Sequence, residues 1–224
     1  MAAKNIAYTK EYQLTRDKVE YLFQDCFLDS SENRTIANGK FRLNIKTYTE
    51  KTASRIMGAQ FISVYNKNEE LLFEQKCTYD KGFFRYIAHE NGEEYLLFSI
   101  DLYGYSILNL NSLTVFHYIP EEAETFIWTD ADYSGSNKIA ALGCFWACDY
   151  EFEIYGFSNP EKLPYKQLVR HEDLEPQYNH WLEPIGWVLP TEYAYYETAG
   201  KEKTYKTVNV FSIVNHESPK KEAK

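Results

Sequence analysis

The chain has 224 residues, and its 33 acidic against 24 basic side chains give a formal charge of −9. A chain of this length buries a core without metal or disulfide staples, and its acidic balance repels phosphate, which argues against nucleic acid and anionic membranes as partners. Four cysteines are too few and too scattered for a secreted disulfide framework. With no signal-type apolar run at the start and no stretch of transmembrane length, the expected location is cytoplasmic.

From Arg16 to Leu28, apolar residues fall at Val19, Leu22, Phe23, Cys26 and Phe27. These offsets form one helical stripe and predict a helix docked on the rest of the protein, with Thr15 or Asp17 as its cap. Asp29 to Thr35 reads as a polar loop, and Asn38-Gly39 as a turn. Residues 1–39 are therefore expected to form a helix and loop, residues 40–214 a β domain, and residues 215–224 a tail with no apolar anchor, expected to be disordered.

After Gly39 the pattern changes to period two, punctuated by turn signals such as Asn91-Gly92 and Tyr103-Gly104. The 20 Tyr, 14 Phe and 4 Trp suit half-buried pleated surfaces. Strands group into units starting near Phe41, Phe83 and Phe126, with a fourth from about Pro184 to Val214 after a longer insertion. The second unit reads as strands at 83–89, 94–100, 105–110 and 113–119, and the third as strands at 126–130, 138–146, 150–157 and 165–169. Tyr150, Phe152 and Ile154 alternate with Glu151 and Glu153, which predicts a strand with one buried and one wet face.

Four-stranded units of about 40–45 residues have the period of propeller blades. The phrase Tyr105-Ser-Ile-Leu-Asn-Leu-Asn-Ser-Leu-Thr-Val resembles the third strand, turn and fourth strand of a WD40-type blade, without the His and Trp-Asp signatures. The Gly143–Glu151 segment resembles segments of uncharacterised bacterial propeller-like proteins, a likeness that implies architecture and no activity. The expected fold is mostly β, with four-stranded antiparallel blade-like units in a small or partial β-propeller and one N-terminal helix. A rolled β-sandwich is the alternative.

Cys144 and Cys148 are spaced Cys-x3-Cys. If the segment is extended they lie about 13 Å apart, beyond disulfide reach; a turn at 147–149 weakens that argument, and the reading adopted is inert thiols. Asp130-Ala-Asp132-Tyr-Ser134-Gly135 opens like a calcium loop but has Ala141 where the loop needs its bidentate Glu, so it reads as a turn. His117 alternates with Phe116 and Tyr118 and reads as structural; His171, Asp173 and His180 lie in the long insertion without a recognised ligand spacing, and read as part of a solvated acidic loop. No metal site and no cofactor are therefore expected. The G-x-S-x-G elbow, the phosphate loop, G-x-G-x-x-G and H-E-x-x-H are all missing from the sequence, and no catalytic residue is assigned.

The favoured function is a noncatalytic protein-binding module, with a protein partner or a homodimer, the latter formed through edge strands or the N-terminal helix. The alternative is an enzyme or binding protein acting on a carbohydrate or other small polar ligand. In either case the candidate binding residues are Trp128, Asp130, Asp132, Trp146 and Asp149.

Overall fold

Strands begin at Leu28, before the period-two pattern becomes legible, and continue to Asn209. The computed structural model describes residues 4–53, 55–122, 124–146, 148, 150–174 and 180–211, with backbone alone at His180. The strands form four antiparallel sheets, each with its strands hydrogen-bonded in sequence order. Sheet I holds β1 (Leu28–Ile36), β2 (Phe41–Lys51), β3 (Ile56–Asn66) and β4 (Leu71–Cys77). Sheet II holds β5 (Phe84–Ala88), β6 (Glu94–Ser99), β7 (Tyr105–Asn109) and β8 (Val115–Tyr118). Sheet III holds β9 (Ile127–Tyr133), β10 (Lys138–Cys144), β11 (Glu151–Gly156) and β12 (Gln167–Val169). Sheet IV has three strands among the described residues, β13 (His180–Leu189), β14 (Glu192–Ala199) and β15 (Glu202–Asn209). The mostly β, blade-like reading is the observed fold. The strands of the second and third units fall within a few residues of their sequence-derived positions, because their turns are marked by Gly, Asn and Ser.

The chain divides into two compact units, residues 1–130 with 161–164, and residues 131–160 with 165–224. In the first, the core joins Leu43, Ile45, Ile62 and Val64 of sheet I to Leu96, Phe98 and Leu108 of sheet II. Both faces of β6 and β7 are buried, so their sequences read as apolar runs rather than strict alternation. In the second, Ala140, Phe152, Ile154 and Val169 of sheet III pack with Leu182, Tyr193, Tyr195 and Val208 of sheet IV. Phe152 meets Tyr193 and Tyr195 with centroids 4.7 and 5.2 Å apart, in tilted geometries favoured by aromatic pairs.

Three expectations are corrected. The α-helix lies at α1 (Lys10–Asp17), not Arg16–Leu28, and Thr9 caps it by accepting a hydrogen bond from Tyr12 N at 3.3 Å. The apolar stripe instead occupies two 3-10 turns, Glu20–Phe23 and Asp25–Phe27, separated by an extended Gln24. Breaking the helix there lets Leu22 become fully buried and sets Phe23 edge-on against Tyr48 and Phe61, a gain from packing that outweighs helical periodicity. Cys26, a member of that stripe, is exposed.

The Asp29–Thr35 segment is not a loop but most of β1, paired in register from Ser30↔Thr47 to Ile36↔Phe41. Nearly every residue of this edge strand is exposed, so it has no apolar period to announce it, and its charges suit an edge. Finally, β11 has no wet face: Glu151 and Glu153 are 8% and 4% exposed, whereas Tyr150, expected among the buried residues, is 64% exposed. The tail expected to be disordered lies outside the described residues.

Candidate functional site

The β10–β11 hairpin carries the densest chemistry of the second unit. Its arms pair from Lys138↔Gly156 to Gly143↔Glu151. Past Gly143 the chain leaves the ladder, and Cys148 N donates to Phe145 O at 3.0 Å, closing a turn. Trp146 is 63% exposed on that turn, and Tyr150, 64% exposed, stands where the chain re-enters the sheet. Cys148 is exposed and Cys144 half-buried. Burial, the Cys148 thiol and the Glu151 carboxylate together push the Cys144 thiol above its ordinary range.

Behind the tip, one face of β11 presents Glu151, Glu153 and Tyr155. The residues beside them on β10 are Gly143, Ala141 and Ile139, so the floor next to both carboxyl groups is made of small side chains. Tyr155 Oη donates to Glu153. His171, in the 3-10 turn His171–Leu174 after β12, brings Nδ1 to 2.7 Å from Glu151 Oε2. Burial pushes the Glu153 carboxyl up to about 7, against smaller lowering effects of the Tyr155 and Gln167 hydrogen bonds. Burial also pushes the His171 imidazole down, opposed by Glu172. A buried carboxyl that titrates near neutrality can hold or pass a proton. Among the described residues no group of three or more His, Cys, Asp or Glu side chains is arranged to hold a metal ion.

Of the five residues singled out in the sequence, Trp128, Asp130 and Asp132 have separate local partners. Trp128 is 6% exposed, stacked on Tyr105 at 4.5 Å and on Phe83 at 6.4 Å, which makes it core packing. Asp130 takes a two-point ion pair from Arg85, with Nε–Oδ1 at 3.1 Å and Nη2–Oδ2 at 2.5 Å. Asp132 lends its backbone carbonyl to Trp187 Nε1 at 2.9 Å. Trp146 is placed on the exposed tip as described above, and Asp149 lies outside the described residues. The buried Glu151 and Glu153 with the half-buried His171 were missed as a site. Alternation reads every second residue as solvated, and nothing in sequence marks a strand covered on both faces with carboxylates inside.

Other polar clusters are committed to structure. His117 faces Ser106 across β7 and β8, with Nδ1 2.7 Å from the fully buried Ser106 Oγ, and burial pushes its imidazole down to about 4. In the first unit an open groove of about 140 Å³ is lined by Gln13, Arg16, Glu20, Phe23, Lys76 and Thr78. Its charged groups already serve one another: Lys76 pairs with Glu20, and Arg16 donates to Lys76 O at 3.1 Å.

No family model matches the chain, and no curated protein matches it. Among solved structures, the chain is similar to the Pyrococcus horikoshii acylaminoacyl peptidase at 9% identity and a TM-score of 0.37, over 82% of this chain and 33% of that one. An acylaminoacyl peptidase in complex with Z-Gly-Gly-Phe-chloromethyl ketone gives 11% identity and 0.34, again over 82% and 33%. MPT-1, a GDP-Man-dependent mannosyltransferase from Leishmania mexicana, gives 10% and 0.31, over 81% of this chain and 68% of that one. The chain thus spans about a third of the length of the two peptidases. No residue role passes from these proteins to this one.

Proposed function

We propose that this chain is a noncatalytic protein-binding module of propeller-like architecture, cytoplasmic, and that it recognises its partner with the tip of the β10–β11 hairpin. The observation that carries the reading is the exposure of Trp146 and Tyr150, at 63% and 64%, on one short connection between two paired strands. Trp and Tyr are the residue types most enriched at energetic centres of interfaces, since each supplies large area at low entropy cost. A rigid hairpin base presents both rings with little further ordering to be lost on binding. The net charge of −9 favours a partner with a basic rim. Among the described residues no helix is long and apolar enough to cross a membrane.

The test is a comparison of the wild-type protein with a W146A/Y150A double variant of unchanged unfolding temperature. A partner retained by the wild type and then purified should bind the double variant at least about 30-fold more weakly, the loss of one interface hot spot of about 2 kcal/mol. Equal affinity for both proteins would sink the proposal.

The buried Glu151 and Glu153 beside β10, with the half-buried His171, favour a second reading, a small polar ligand such as a sugar bound through carboxylate acceptors. A thermal shift from a sugar panel that disappears in E153Q would support that reading. Partner loss confined to the tip variant would support the first.

A further inference from the structure

We infer that β15 is a self-association edge, on which a second copy of this chain adds its own β15 antiparallel and extends sheet IV across a two-fold axis. The surface is separate from the Trp146 tip. β15 follows β14 through the turn Gly200-Lys201, and the pair runs from Ala199↔Glu202 to Glu192↔Asn209 with no register shift. On its other side β15 has no strand among the described residues, and every residue of it except Val208 is exposed. Proteins blunt such edges with short strands, bulges or proline. Other edges of this unit use these devices: β12 spans three residues and meets β11 through a register shift, and β13 carries Pro184 and shifts register against β14. β15 has eight residues, longer than the usual length of about 5–6, with neither proline nor bulge. Its lysines do not stand free as edge guards, because Lys203 Nζ lies 2.6 Å from Glu183 Oε2 and Lys206 pairs with Glu197.

The turn decides which main-chain groups point outward. Gly200 takes φ +60 at the first turn position, as a type II′ hairpin turn requires. In such a hairpin the flanking residues, Ala199 and Glu202, form a hydrogen-bonded pair, and hydrogen-bonded pairs recur at every second residue. Glu202, Thr204 and Lys206 therefore bond inward to β14, and Lys203, Tyr205 and Thr207 turn their N–H and C=O groups outward. Charge then selects the register. A two-fold axis centred on Thr204 sets Glu202 of each copy opposite Lys206 of the other, and Lys203 opposite Tyr205. Lys203 Nζ already lies 4.4 Å from the centroid of Tyr196, so Tyr205 of the second copy brings it another ring. Centring on Lys203 or Lys206 puts lysine against lysine, and centring on Tyr205 sets Glu202 against Val208. An unrelated acidic strand would answer Lys203 and Lys206 but oppose Glu202, so the pattern of both signs fits a second copy best.

Sedimentation equilibrium of the full chain tests the inference, with a dissociation constant on the order of micromolar expected for so small an interface. Y205P deletes an outward N–H and leaves the β14 ladder intact, so it should weaken the dimer at least about tenfold at an unchanged unfolding temperature. E202K leaves the backbone alone and sets lysine opposite Lys206; it should weaken the dimer at least about fivefold, and it decides the matter where Y205P unfolds. In a C26S/C148S background, which removes the exposed thiols, T204C should cross-link to its own copy on oxidation. The axis brings those two Cα atoms about 4.5 Å apart, within disulfide reach. A protein that stays monomeric to about 200 μM, whether or not β15 takes up an added peptide, would overturn the inference. So would a dimer untouched by both Y205P and E202K, or one that gives no T204C cross-link.

Discussion

Two hairpins occupy the same place in their sheets, β6–β7 in sheet II and β10–β11 in sheet III, and their tips differ in what meets them. The β6–β7 tip is covered. Its Asp101 accepts from Thr78 Oγ1 at 2.7 Å and from Tyr12 Oη at 3.2 Å, and Ile100 packs with Ala7, Tyr12 and Ile119. A Cβ on its Gly104 would lie 2.1 Å from Ile119 Cδ1, so the tip has closed to side-chain contact. At the β10–β11 tip Trp146 and Tyr150 are exposed, and the polar groups near it are buried carboxylates. The first hairpin has spent its polar groups on docking the N-terminal segment, and the second leaves two aromatic rings exposed at its tip. Binding surfaces are better sought where a scaffold leaves such rings exposed than where polar groups are most numerous.

The comparison breaks most severely in the cores beneath the tips. F98A in the first unit and F152A in the second each remove a fully buried ring. Each should lower unfolding free energy by about 3–5 kcal/mol in a denaturant titration.

Next comes pH. Glu153 is raised from an ordinary value of 4.5 to about 7, so its stabilising contribution is complete below 4.5 and is lost as pH rises through about 7. That difference amounts to about 3 kcal/mol at 1.36 kcal/mol per unit, as an order of magnitude. E153Q should abolish this slope and be the more stable protein at pH 8, read as unfolding temperature against pH. The lowered His171 acts with the opposite sign, its contribution lost as pH falls below 6.5, so H171N should flatten the acid side. An unchanged pH profile in E153Q would show that β11 is not proton-linked.

A smaller effect belongs to the covered tip. Y12F deletes one hydrogen bond to Asp101 and should cost about 1 kcal/mol. Hydrogen exchange should then show α1 opening more readily than the sheets. Smallest of all, W146A should move stability by less than about 0.5 kcal/mol, the range of exposed substitutions. A larger loss, measured by thermal unfolding, would make Trp146 a packing residue and close the comparison between the tips.

Periodicity and turn chemistry determined a good deal of this protein. Gly92, Gly135 and Gly200 take positive φ, as their turns require, and the strands of sheets II and III stand close to where alternation put them. Of the two tryptophans singled out near strand ends, Trp146 is exposed and Trp128 is buried. Tertiary structure alone decided the rest. Leu22 and Phe23 gave up a helical stripe for pockets on sheet I, since burying them outweighs local propensity. β1, polar from Asp29 to Thr35, became a strand because an edge needs hydrogen bonds from β2 and no apolar face of its own. Glu151 and Glu153 were buried although alternation assigns them to water. A sequence records which residues share a face of a strand, and only the packing of whole sheets decides whether that face meets solvent.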